Sequence, residues 1–222
     1  MARLDAERLA ELESVAAEIP SMGGLQIGAH LRKAAREDAL PGTAIVELGS
    51  WLGAGTAQLA LGLRERPDSD GIEIHCFDRY QATSAEEPKA AKAGLTLVKD
   101  QDTLPIVKRL LEPFDAPIKF HKGTIEKKSW AGAPISVFVQ DAGKSSASFF
   151  PMIKAFGPSW MPEKTVIFFM DYYNWRKSGV DDHKCQTRFV EAHPESFSIP
   201  VPLFGSVVTV RYLKPLDFSA LA

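Results

Sequence analysis

The stretch Ala44-Ile45-Val46-Glu47-Leu48-Gly49-Ser50-Trp51-Leu52-Gly53-Ala54-Gly55-Thr56 decides the reading of this chain. A short apolar, β-branched run ends in an acid, and three glycines follow at offsets 0, 4 and 6 before Ala57-Gln58-Leu59-Ala60-Leu61-Gly62-Leu63. That order predicts a strand, a tight loop and a helix. Glycine lets a backbone turn sharply and approach a ligand, and the free N–H groups of a helix N-terminus point at whatever occupies the loop. The spacing discriminates between ligands. A dinucleotide fingerprint, G-x-G-x-x-G, needs a third glycine where Gln58 stands, and the phosphate loop of nucleotide hydrolases needs a Gly-Lys-Ser/Thr ending that is missing here.

Outward from this stretch, strand-like runs lie at 43–48, 72–77, 117–120, 135–140 and 165–170, and helical stretches at 55–64, 103–112, 146–156 and 179–192 separate most of them. Strands alternating with helices predict a parallel sheet with right-handed crossovers. Ahead of them, 5–18 and 25–37 carry apolar side chains at helical spacing, which reads as a helical cap over 1–40 before a main domain at 41–222. The end differs, because 196–203 and 206–213 flank Phe204-Gly205 and read as an antiparallel hairpin. The expected fold is α/β, a Rossmann-like doubly wound seven-stranded sheet with a C-terminal antiparallel hairpin. Residues 79–102 are the least regular, and loops of that length in a compact domain are usually functional or mobile. They form the candidate lid.

Length and composition narrow the classes. At 222 residues the chain suits one domain with an ample core, and a net charge of −2 offers no field for nucleic acid. The one tight basic group, Lys122 to Lys128, is interrupted by Glu126. Cys76 and Cys185 make no disulfide framework and suit a reducing compartment. The charged start Met1-Ala2-Arg3-Leu4-Asp5-Ala6-Glu7-Arg8 is unlike a signal peptide, and no run approaches the ~18 apolar residues of a membrane span. The expectation is a cytoplasmic protein with a small-molecule partner, no nucleic acid and no membrane. A homo-oligomer is left open as a further partner, and the sequence does not give the oligomeric state.

An acid followed by G-x-x-x-G-x-G, here Glu47, Gly49, Gly53 and Gly55, resembles motif I of class I S-adenosylmethionine-dependent methyltransferases. The resemblance runs from about residue 40 to 214. It implies a loop wrapped around the methionine part of the cofactor, with Glu47, Gly49, Ser50, Trp51, Gly53, Gly55 and Thr56 around it. Asp78 ends the second strand 23 residues past Gly55, where an acid in doubly wound sheets accepts hydrogen bonds from both ribose hydroxyls, and Arg79 follows it. Gly123 and Thr124, after the third strand, fall where the family's loop approaches the adenine.

The fourth and fifth strands deliver Val139-Gln140-Asp141-Ala142-Gly143-Lys144 and Met170-Asp171-Tyr172-Tyr173-Asn174-Trp175. Open α/β sheets bind ligands beyond the carboxyl ends of their strands, so Asp141 and Asp171 are expected to converge beside the transferable methyl, Asp141 also touching the cofactor. Two adjacent carboxylates repel unless a cation or proton joins them, and hard oxygen ligands favour Mg²⁺ or Ca²⁺. Asp141 and Lys144 resemble the D-x-x-K of catechol- and caffeoyl-CoA-type O-methyltransferases. Asp171, Tyr172 and Trp175 resemble the D-D-Y and following Trp of the macrocin type, with Met170 in place of its first Asp, while Tyr172 replaces the metal-binding Asn of the catechol pattern. Either way one of three protein ligands is missing, which leaves a two-carboxylate metal site and a site without metal both open.

Lys144 is the candidate base, since a lysine beside a metal or in an apolar pocket can take a proton, and a helix-start lysine in solvent is its structural alternative. His30, His121, His183 and His193 are rival bases, and His75 inside a strand reads as structural. The expected function is methyl transfer from S-adenosylmethionine to a hydroxyl of a small molecule, with Lys144 and Asp141 catalytic. The alternatives are a metal-independent N- or O-methyltransferase and a cofactor-binding homologue without catalysis.

Overall fold

The structure is a computed structural model that describes residues 4–22 and 25–221. The ends of the expected domain ranges, residues 1–3 and 222, and residues 23–24 within the cap lie outside the described residues. Helices α1 (Ala6–Glu18) and α2 (Leu25–Glu37) precede strand β1 (Ala44–Leu48), helix α3 (Ala54–Arg64) and strand β2 (Glu73–Asp78). After α4 (Glu87–Ala91) and α5 (Leu104–Leu111) come β3 (Ile118–Lys122), β4 (Ile135–Gln140), α6 (Ser146–Phe156) and β5 (Val166–Phe169). The chain finishes with α7 (Trp175–Ser178), α8 (Cys185–Glu191), β6 (Val201–Pro202) and β7 (Val208–Arg211).

The seven strands form one sheet in the order β3-β2-β1-β4-β5-β7-β6, with the first five parallel and β7 antiparallel to both β5 and β6. Strand order reverses between β1 and β4, and such a switch point opens a crevice at the carboxyl ends of the strands. Strands covered by helices on both faces read as continuous apolar runs, which is why β1 is buried at all five positions. One core lies on the face of α1, α2, α3 and α5, with Leu12, Leu31, Leu59 and Val107 buried in it. The other lies under α6 and α8, where Phe149, Phe156 and Phe189 pack against Phe138 and Phe169.

The helices expected at the N-terminus form and share the first core rather than standing apart from it. The close approach of α2 to α3 depends on Gly62, where a Cβ would run into the carbonyl oxygen of Arg32.

Two expectations change. The hairpin is short, because Pro200 and Pro202 lack the N–H donors a ladder needs, and only Val201 and Pro202 pair with β7 beyond one bridge between Phe197 and Tyr212. The helix expected over 179–192 begins as a 3₁₀ turn at Asp181–Lys184 and becomes α-helical only at Cys185. A separate turn, α7, precedes it and is stopped by Gly179 at φ +68°. The candidate lid, 79–102, is closed at its base by a bridge between Gln81 and Asp102 and anchored by the buried Tyr80, Ala82, Ala90 and Leu97. It is docked on the core through these side chains. Among the described residues no helix is long and apolar enough to cross a membrane.

Candidate active site

The loop after β1 is shaped by residues that need unusual backbone. Gly49 turns at φ +91°, and a Cβ there would strike the carbonyl of Asp141, so a glycine is what lets the β1 and β4 loops touch. The contact is fastened from both sides, as Gly49 N–H donates to Phe77 O at 2.8 Å and Asp141 N–H donates to Leu48 O at 2.9 Å. Gly53 caps α3 in the left-handed region at φ +89°.

These loops, with the ends of β2, β4 and β5, enclose one cleft of about 840 Å³. Of the motif I residues, Glu47, Gly49, Ser50, Trp51 and Gly55 line it. Asp78 and Arg79 line it from β2, Thr124 from the loop after β3, and Asp141, Lys144 and Asp171 from the ends of β4 and β5. Glu86 and Lys89, from the docked 79–102 segment, complete one side.

Three residues expected to touch the cofactor stand behind the wall instead. A Cβ on Gly53 would meet Leu111 Cδ1 of α5 at 2.9 Å, so this glycine faces the core and its role is conformational. Thr56 is fully buried and turned inward, donating its hydroxyl to Glu47 Oε2. Gly123 donates its N–H to Asp78 O at 2.9 Å and packs beneath Lys128, leaving the cleft to Thr124.

Glu47 is the one charged side chain on β1, and burial pushes its pKa up to about 7 against the pull of the Thr56 and Cys76 hydrogen bonds. Its Oε1 lies so close to Gly55 that any Cβ there would overlap it. Asp78 ties two loops together, accepting from Trp51 N–H at 2.9 Å through Oδ2 and from Tyr80 N–H at 2.7 Å through Oδ1. Each of these oxygens keeps a further lone pair. Ser50 Oγ and the buried Tyr80 hydroxyl, 2.9 Å apart, add a second tie that the sequence did not suggest. Trp51, in the wall of the cleft, keeps its Nε1 buried without a protein partner.

At the other end, Asp141 is open to the cleft and enclosed by protein elsewhere. That enclosure, then the charges of Asp171 and Glu47, drive its pKa well above the ordinary carboxylate range. Asp171 is buried, with Oδ1 at 3.3 Å from Lys144 Nζ and Oδ2 lacking a hydrogen-bond partner. Behind the acids lies a fully buried amide pair that sequence reasoning missed. Asp171 N–H donates to Gln186 Oε1 at 3.2 Å, Gln186 Nε2 donates to Gln140 Oε1, and Gln140 Nε2 donates to Ala142 O. Glutamines in apolar segments are the signal that could have found it, because a buried amide must be paired.

None of the rival histidines lines the cleft. His30 is exposed on α2, His193 Nδ1 is bonded to Phe189 O at 2.7 Å, and His183 contacts Ser178 Oγ at 2.9 Å and Asn174 Nδ2 at 3.3 Å. His121 and His75 pair with each other at 2.9 Å across β2 and β3, and His121 stacks on Phe77.

With Lys144 paired to Asp171, the donors at the ends of β4 and β5 fall short of a divalent-cation shell. Such an ion takes six or more oxygens, and among the described residues no three Asp, Glu, His or Cys side chains gather to hold one. One of the two carboxylates is already paired with an ammonium. Met170 lines the cleft with a thioether, and Tyr172 is turned into the core against Phe169.

No protein-family model matches the sequence, and no curated protein matches it. Solved structures do. A protein from Klebsiella pneumoniae put forward as an O-methyltransferase superposes with a TM-score of 0.60 at 13% identity, covering 95% of this chain and 92% of its own. The methyltransferase PaMTH1 of Podospora anserina, bound to S-adenosylhomocysteine, gives 0.57 at 14% identity over 96% and 90%. MycE, a methyltransferase of the mycinamycin biosynthetic pathway in complex with Mg, S-adenosylhomocysteine and mycinamycin VI, gives 0.52 at 14% identity over 93% of this chain and 55% of its own. The chain has the fold of the class I S-adenosylmethionine-dependent methyltransferases.

Proposed function

We propose that this chain is an S-adenosylmethionine-dependent methyltransferase acting on a hydroxyl of a small molecule. The observation that carries the reading is the convergence of the glycine-shaped β1 loop, Asp78, Thr124 and the acids of β4 and β5 on one cleft of about 840 Å³. That volume lies in the upper range of small-molecule sites and suits a cofactor together with an acceptor. The fold similarity supports the same cofactor.

The residues present fit S-adenosylmethionine. Glu47 and Gly55 form a cradle that a Cβ would fill, and Trp51 Nε1 is a buried donor awaiting an acceptor. The unused lone pairs of Asp78 suit ribose hydroxyls, Thr124 would meet the base, and Glu47, Gly49 and Gly55 would hold the methionine part. When bound, the cofactor supplies an electrophilic methyl on a sulfonium. The chain then has to hold the acceptor oxygen in line with that methyl, which is where most of the rate of a transfer between two bound molecules originates. Asp141, Lys144 and Asp171, with Asn174 beside them in the cleft lining, are polar groups that would face the acceptor.

The test is calorimetric titration of S-adenosylhomocysteine into the purified protein. Binding is expected, with a rise in thermal stability by mass action. Absence of both heat and thermal shift would overturn the assignment.

A further inference from the structure

We propose that the ammonium of Lys144 is the resident cation of the Asp141–Asp171 pair, occupying the charge-balancing place that a divalent ion would otherwise take. The inference rests on the proposed function only for where the acceptor lies. Its own ground is the geometry at the ends of β4 and β5.

Two carboxylates facing one cleft repel unless a proton or a positive charge lies between or beside them. Here that charge comes from the chain, as Lys144 Nζ stands 3.3 Å from Asp171 Oδ1. The residues flanking Asp171 on the β5 loop add no third carboxylate. Met170 contributes sulfur, Tyr172 points into the core, and Asn174, which also lines the cleft, has its amide nitrogen turned toward His183 at 3.3 Å. The buried Asp171 Oδ2 has no partner, so it is free for a donor brought by the acceptor.

The amide pair keeps this arrangement fixed. Gln186 holds the backbone N–H of Asp171, Gln140 holds the carbonyl of Ala142, and the two side chains are joined to each other, so the loops carrying the acids are fastened behind the site. A six- to eight-oxygen shell would have to be assembled without moving either loop and would have to expel the ammonium. Replacing a divalent ion by a lysine changes the site in kind. The cation becomes a point charge on a flexible stem that donates hydrogen bonds and accepts no ligand oxygen into a coordination sphere.

Mn²⁺ is the probe, titrated into the protein and followed by loss of the paramagnetic resonance signal of the free ion, with Asp171→Asn marking the site. Wild-type protein is expected to take up no Mn²⁺ at this site up to about 1 mM, the weak end of carboxylate cation sites. Lys144→Gln, which removes an exposed ammonium and leaves both acids, is expected to take up one Mn²⁺ that the double variant Lys144→Gln/Asp171→Asn loses. Uptake by wild-type protein that Asp171→Asn abolishes would overturn the proposal. So would absence of uptake by Lys144→Gln, because the acids would then offer no cation place for the lysine to fill. Calorimetry with S-adenosylhomocysteine on the same samples reports separately on the cofactor reading, so failure of one is not mistaken for failure of the other.

Discussion

Replacing Glu47 by glutamine should flatten the dependence of stability on pH. Glu47 is buried in the middle of the sheet, and its pKa is raised from 4.5 to about 7 chiefly by desolvation. A group that holds its proton more tightly in the fold than in the unfolded chain contributes stability that is complete below the unfolded value and is lost as pH rises through the folded one. For Glu47 that window runs from pH 4.5 to about 7, and above it the fold carries a buried charge. At about 1.4 kcal/mol for each pH unit between the two values, the loss across the window is about 3 kcal/mol. Glutamine does not ionise, and its carbonyl can still accept the Thr56 hydroxyl that Glu47 Oε2 now accepts. The advantage of Glu47→Gln over wild type should therefore grow by about 3 kcal/mol between pH 4.5 and pH 8, whatever constant offset the altered contacts introduce. Urea unfolding at both pH values measures it, with both proteins compared in an Asp141→Asn background, because the charge of Glu47 is one of the causes that raise the Asp141 pKa. Groups that Glu47 does not perturb titrate alike in both proteins and cancel. A difference equal at the two pH values to within about 0.5 kcal/mol would refute the burial argument for Glu47.

Gly53→Ala should cost about 1–3 kcal/mol of stability, because φ is +89° and Leu111 lies in the way, yet leave S-adenosylhomocysteine affinity within about twofold. A large loss of calorimetric affinity in the folded variant would put Gly53 back in the ligand wall. Asp78→Ala should weaken S-adenosylhomocysteine binding by about 1.5–3 kcal/mol and also lower the melting temperature of the free protein, since Trp51 N–H and Tyr80 N–H lose their acceptor. An unchanged dissociation constant would make Asp78 a purely structural tie between two loops.

What the sequence made legible was what local chemistry decides. Glu47, the glycines after it and the alternation of apolar runs with helical spacing specified a strand, a turn and a helix at the head of a parallel sheet, and the structure has them within a residue or two. The acids at the strand ends followed from the same topology, because a parallel sheet places the carboxyl ends of β1, β2, β4 and β5 on one edge. The misses share another cause. A glycine is selected either because the backbone needs positive φ or because something lies where a Cβ would be, and the motif cannot say what that something is. At Gly55 it is a carboxylate in the cleft, at Gly49 the backbone of the β4 loop, and at Gly53 a leucine from α5.

Lys144 poses the same problem in charge. Three residues after Asp141, the D-x-x-K spacing invites pairing with its own strand end, but its partner in space is Asp171, on the next strand. A lysine so paired neutralises the acid that a metal would otherwise have to neutralise. The missing third ligand and the ion pair are then one fact seen twice: with an ammonium in place, Met170 and Tyr172 are under no demand to supply an oxygen, and one joins the cleft as a thioether while the other fills the core.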